Sequence, residues 1–249
     1  MRAALAVNRV TADHRRNLAE ILDTIDEAAH NKADLILFPE AAVTGLVNND
    51  APAHDLQLGQ EIPGAVTDQL ARRSRDRGVW TAIGLLECEE GKLYDAAVMI
   101  APDGDIKLKY RRIQPQWHGR DADPLTYCQG TDVAKVDTPL GSFAFLICGD
   151  LFDDAIIRRV KDAKPDWVLF PFARCFDDGS YDQERWDKQE RAEYVRRVGL
   201  VGITTLMTNY VADQQLSGGA FGGALVVSGD GTIQDSLPLG KVGLLEVTL

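Results

Sequence analysis

The chain is 249 residues long and carries 38 acidic against 27 basic side chains, a formal net charge of −11 at pH 7. That balance disfavours nucleic acid and anionic membrane as partners, since both select a dense basic surface. At this length, with 45% hydrophobic and 26% charged residues, the chain could form one large globular domain or two small ones; no linker or low-complexity tract divides it, and a single domain spanning 1–249 is expected.

The predicted elements come in two similar series. Met1–Val7 reads as a strand, and a helix over roughly 15–30 places Leu18, Ile21, Leu22, Ile25 and Ala28 on one face. The apolar run ADLILFPEAA (33–42) is a second strand with a Phe-Pro end, and a second helix follows at about 65–77. AAVMIAPDGDIK (96–107) is then a hairpin, because its Asp-Gly pair tolerates the positive φ of a tight turn. The series returns with a strand at Ser142–Cys148 and a helix opened by Asp153 and Asp154. That helix carries Lys161 and Lys164 late, as the helix dipole favours. PDWVLFPFAR (165–174), a helix at 184–198 and the hairpin GALVVSGDGTIQ (223–234) complete it. Neither half covers both faces of its own sheet. Packed sheet to sheet with helices outside, they predict an α/β fold, a four-layer α-β-β-α sandwich built from two similar halves.

Two reactive side chains fall at the carboxyl ends of strands, where ligands gather in sheets of this kind. Glu40 follows ADLILFP, and Cys148 ends SFAFLIC. Phe172 holds Glu40's place in the second copy, so the architecture does not itself demand a carboxylate. A strand-end cysteine is commonly just a small buried hydrophobe. Together, however, a thiol and a carboxyl can perform acyl transfer. The thiolate attacks a carbonyl or nitrile carbon, and a carboxyl in a dry pocket moves the protons. The oxyanion then needs a donor, which the N–H of Gly149 can supply at a strand-to-helix turn.

Other chemistries find no support. His14, His30, His54 and His118 show no metal-ligand spacing, and Cys88, Cys128, Cys148 and Cys175 include no CxxC pair. No metal and no other cofactor is expected. No apolar run approaches the ~20 residues needed to cross a bilayer, and MRAALAVNRVTADHRR turns polar too early for a signal peptide. A cytoplasmic protein with reduced thiols is the resulting expectation.

Four stretches resemble the motifs of the nitrilase superfamily of carbon–nitrogen hydrolases. LILFPEAAVTG is similar to the family's glutamate motif and KYRRIQP to its Tyr-Arg-Lys motif. FAFLICGD is similar to its nucleophile motif, with Asp150 in the usual acidic place, and GGAFGGALVVSGDGTI to its last hairpin. The resemblance implies an αββα fold, a homodimer or higher homo-oligomer, and a Glu-Lys-Cys triad. Glu40 and Cys148 match it, whereas Arg112 stands where the lysine belongs. Lys109 lies three residues earlier, with opposite parity in an extended strand. Arginine keeps the charge, but its planar fork is suited to gripping Glu40. Two more departures are Phe152-Asp153-Asp154 after the nucleophile, in place of aromatic-Pro-Glu, and the want of the family's second glutamate. Asp121 and Asp123 are the acids nearest that place in sequence.

Substrate contacts are expected at Trp117, His118, Gly149, Phe172 and Ala173. Convergence of Arg112, Arg120 and Arg174 would favour a carboxylate-bearing substrate. The expected activity is hydrolysis of a small-molecule amide or carbamoyl substrate, by an amidase or N-carbamoyl amidohydrolase. Amides are favoured over nitriles because the chain is short. The alternative is a catalytically impaired family member that binds a ligand or partner.

Overall fold

The computed structural model describes residues 1–216 and 219–249. The first half runs β1 (Arg2–Val7), the short β2 (Arg9–Val10), α1 (His14–His30), β3 (Leu35–Leu37), one turn of α2 (Pro52–Asp55), α3 (Ala65–Arg77), β4 (Trp80–Glu89), β5 (Lys92–Ile100) and β6 (Ile106–Arg111). The second half begins with β7 (Lys135–Thr138) and β8 (Gly141–Phe145), then a 3-10 turn at Cys148–Phe152 and α4 (Asp154–Ala163). After β9 (Trp167–Pro171), α5 (Gln183–Arg185) passes through a π-helical turn into α6 (Arg191–Val201). The strands β10 (Thr205–Thr208), β11 (Val211–Ala212), β12 (Ala224–Val227), β13 (Ile233–Leu237) and β14 (Gly243–Thr248) follow.

Two six-stranded sheets result, ordered β14-β1-β3-β4-β5-β6 and β13-β12-β10-β9-β8-β7. In each, three parallel strands are extended by the antiparallel hairpin partners, β5 and β6 or β12 and β13. The strands β4 and β10, absent from the expected series, lie between the second helix and the hairpin of each half. The halves differ at one edge. β7 pairs with its chain neighbour β8, whereas the equivalent partner of β1 is β14, from the far end of the chain.

Period-2 alternation puts each strand in two cores. In β1, Ala3, Leu5 and Val7 join Phe143, Phe145 and Leu206 between the sheets. Ala4 and Ala6 instead meet Ile21 and Ile25 of α1 and Leu70 of α3 on the outer face. Val160 of α4 and Val198 of α6 cover the second sheet in the same way. The four layers are therefore helices, sheet, sheet, helices, as the sequence patterning required. Side chains set the helix starts: the Asp13 carboxylate accepts from the N–H groups of Arg15 and Arg16, and that of Asp153 from Ala155 and Ile156. Among the described residues no helix is long and apolar enough to cross a membrane.

Candidate active site

The carboxyl ends of β3 and β8 deliver Glu40 and Cys148 to the same place. Glu40 lies on the loop after β3, held against β4 by hydrogen bonds from Gly84 N to Pro39 O (3.0 Å) and from Ala42 N to Gly84 O (2.9 Å). Gly84 is needed for that approach, because a Cβ there would stand 2.5 Å from the Glu40 Cα. Cys148 opens the 3-10 turn with φ 43°, a left-handed conformation uncommon for a residue with a Cβ. Its Sγ donates to the carbonyl of Ala173, just beyond β9, at 3.7 Å.

Arg112 completes the cluster. Its backbone N–H donates to the carbonyl of Asp95 on β5 (2.8 Å), one step beyond β6 in the ladder. Its Nη1 donates to Glu40 Oε1 at 3.0 Å and to Asp95 Oδ2 at 3.2 Å, and its Nη2 to Gln114 Oε1 at 3.2 Å. Lys109 and Arg111 point to the other face of the strand, where both bind the buried Glu87 (2.6 and 2.7 Å). The basic side chain that meets Glu40 is therefore Arg112. Gly149 lets the guanidinium pass: a Cβ there would lie 2.4 Å from Arg112 Nη2.

Asp150 ties the two supporting segments together. Its carboxylate accepts from Ile147 N (3.0 Å) beside Cys148 and from Ile113 N and Gln114 N (3.1 and 2.8 Å) beyond Arg112. The hydroxyl of Tyr110 donates to it at 2.7 Å.

Water is largely excluded. The side chains of Glu40 and Asp95 are 0% exposed and that of Arg112 3%. Burial pushes Glu40 up from 4.5 to about 8, helped by charge on Cys148 and opposed by Arg112. Asp95 is raised well above its usual range, by burial first and by Glu40 second. Burial works against the charge of Arg112, but Cys148, Glu40, Asp95 and Asp150 outweigh it and hold the guanidinium firmly protonated. The arrangement pairs a thiol with a buried carboxyl of raised proton affinity beside a fixed cation, the requirements of nucleophilic acyl transfer.

The expected substrate contacts are placed unevenly. Gly149 and Ala173 adjoin Cys148, the latter through the sulfur contact. Phe172 is buried, stacked on Phe170 and tilted against Tyr194. Trp117 is buried in a cluster with Ala41, Leu86 and Tyr127, and His118 is held by the side chain of Gln129. Asp123 binds Leu125 and Thr126 of its own turn and Asp121 is exposed; the acid beside Glu40 is Asp95, which no motif had marked. Asp153 caps α4 and Asp154 pairs with Arg197, so the altered residues after Cys148 serve the helical layer. The three arginines are engaged separately: Arg174 grips Glu190 (2.7 Å), Arg112 pairs with Glu40 inside the cluster, and Arg120 is exposed. Among the described residues, no group of three or more His, Cys, Asp or Glu side chains is arranged to hold a metal ion.

The family model "Carbon-nitrogen hydrolase" matches residues 2–249. The chain belongs to the carbon–nitrogen hydrolases of the nitrilase superfamily. As a carbon–nitrogen hydrolase it is 29% identical over 154 residues to an aliphatic nitrilase of Sinorhizobium fredii, covering 56% of this chain and 49% of that one. It is 28% identical over 148 residues to a formamidase of Bacillus cereus, 56% and 42% of the two chains. The chain thus spans about half or less of the length of these curated relatives. An amidase structure from Nesterenkonia sp., with acrylamide added at its active-site cysteine, superposes with a TM-score of 0.82 at 22% identity, over 100% of this chain and 93% of that one. That likeness establishes the nitrilase-type sandwich for this carbon–nitrogen hydrolase.

Proposed function

We propose that this carbon–nitrogen hydrolase cleaves small amide or N-carbamoyl substrates through a thioester on Cys148. The observation that carries the reading is the buried Glu40–Arg112 pair beside a half-buried cysteine held in a left-handed conformation. Cys148 would pass its proton to Glu40 as sulfur attacks the carbonyl carbon. Arg112 and the N–H of Gly149 would face the oxyanion. Collapse would expel the amine, which takes the proton from Glu40 and leaves the thioester. Glu40 would then deprotonate water, and the thiol would leave with that proton, restoring the starting state. Trp117, His118, Phe172 and Ala173 would shape the acyl side of the site. Four unpaired cysteines suit the reducing cytoplasm in which the reaction is proposed to run. A homodimer is part of the proposal, checked by light scattering of the eluting protein.

The test is ammonia release from a panel of short aliphatic amides and N-carbamoyl amines, with the intact mass followed during turnover. An acyl adduct on Cys148 is expected, and Cys148→Ala should lower turnover by at least about 10³-fold with the fold retained. If no substrate turns over and no adduct forms, the ligand-binding reading replaces the hydrolytic one.

A further inference from the structure

Asp95 takes no part in the steps above, yet its carboxylate accepts from the same guanidinium nitrogen as Glu40, at 3.2 and 3.0 Å. Both acids are without solvent exposure. Two ionised carboxylates against one cation would leave an uncompensated charge away from water, and buried sites relieve that by holding a proton. The hydrogen bonding agrees. Glu40 Oε2 and Asp95 Oδ1 are both buried without a partner, and a proton on one carboxyl supplies the donor that the other lacks. Other groups bearing on the pair are Cys148 from the 3-10 turn, Tyr194 of α6 and Tyr210 beyond β10, while Asp150 bears on Arg112. Cys148 acts on Glu40, whereas the neighbours acting on Asp95 are Glu40 and Arg112. The group that must exchange protons with sulfur is therefore Glu40, and the retained proton belongs to Asp95.

We propose that Asp95 is a positioning residue kept as a neutral carboxylic acid, which donates a hydrogen bond to Glu40 and shares Arg112 with it. Once Glu40 has ionised, the working cluster of cationic Arg112, anionic Glu40, neutral Asp95 and the thiol of Cys148 carries no net charge. It stays neutral when the thiol proton moves to Glu40 and the negative charge passes to the oxyanion. Sharing also divides the donor capacity of the guanidinium, so that an arginine can occupy this place without holding Glu40 in a fork of two hydrogen bonds.

The inference rests on the hydrolytic reading only for its kinetic arm. Infrared spectra of the wild-type protein in H2O and D2O should show a buried protonated carboxyl that persists above the titration of Glu40 near 8. That signal should be absent from Asp95→Asn, which replaces a neutral acid by a neutral amide donor. In turnover, the midpoint of the kcat/KM pH profile of Asp95→Asn should stay within about half a unit of the wild type, and Asp95→Ala should lose about tenfold or more. A wild-type spectrum without the signal overturns the proposal. So does a midpoint moved down by about a unit or more in Asp95→Asn, the result of removing a neighbouring anion. If the infrared result is as expected but no amide is cleaved, Asp95 stands and the hydrolytic reading falls.

Discussion

Arg112 spreads its contacts over three acceptors: Nη1 serves Glu40 and Asp95, and Nη2 serves Gln114. A lysine would bring one compact ammonium and no fork. In Arg112→Lys the buried acceptors on Glu40 and Asp95 are the ones exposed to loss of a donor, at about 1–3 kcal/mol each. Amide turnover is therefore expected to fall by about tenfold or more, with a lower midpoint in urea. A rise in turnover would instead show that arginine blocks a triad built for lysine. Glu40 makes a second prediction at this scale. A base must be unprotonated to accept from the thiol, and burial holds this carboxyl at about 8. The kcat/KM of the wild type should climb as pH passes upward through that value; a profile already flat from pH about 5 would mean that Glu40 ionises as an ordinary carboxyl.

At the level of elements, the site is a junction between the ends of β6 and β8, and Asp150 is the fastening. Four donors from both segments converge on its carboxylate. Asp150→Ala would strand three backbone N–H groups and a tyrosine hydroxyl, and should cost about 2–4 kcal/mol in denaturant unfolding as well as most of the turnover. Gly149→Ala tests the packing of the same junction. Its new Cβ would collide with the guanidinium at 2.4 Å, so turnover should fall although neither Cys148 nor Glu40 is altered; unchanged kinetics would mean that Arg112 moves aside freely.

Much of this was legible beforehand, for identifiable reasons. The apolar face of Ile21 and Ile25 announced α1, and Asp-Gly pairs announced both hairpins. Glu40 and Cys148 stood out because each ends an apolar strand with a reactive group. Asp95 did not, since one acid inside LYDAAVMI looks like an edge residue until the strand at 106–111 folds beside it and sets Arg112 opposite. The strand 80–89 carries no such signal, because it is buried almost throughout and shows no alternation. The role of Asp150 likewise depends on donors from Tyr110 to Gln114, distant in sequence and adjacent only in the fold.

For the molecule as a whole, the buried acids make stability depend on pH in a definite direction. The native state keeps the Glu40 proton that the unfolded chain releases between 4.5 and about 8. This contribution is complete below 4.5 and is lost as pH rises through 8, and Asp95, also raised, acts in the same direction. Unfolding free energy should therefore decline across that interval, with a smaller slope in Glu40→Gln, by up to about 1.4 kcal/mol per pH unit for one proton. Equal slopes in the two proteins would place the proton elsewhere.

The pairing of β1 with β14 also bears on how the protein is made. While the chain is still emerging from the ribosome, β1, β3, β4, β5 and β6 are all present, but the outer edge of β1 waits for residues 243–248. That edge is a row of unsatisfied N–H and C=O groups on an apolar strand, a template for misassociation between nascent chains. The half that carries Glu40 and Arg112 is synthesised first and sealed late. Protection of that one strand during translation is thus a demand that the topology places on synthesis, separate from any demand made by the site.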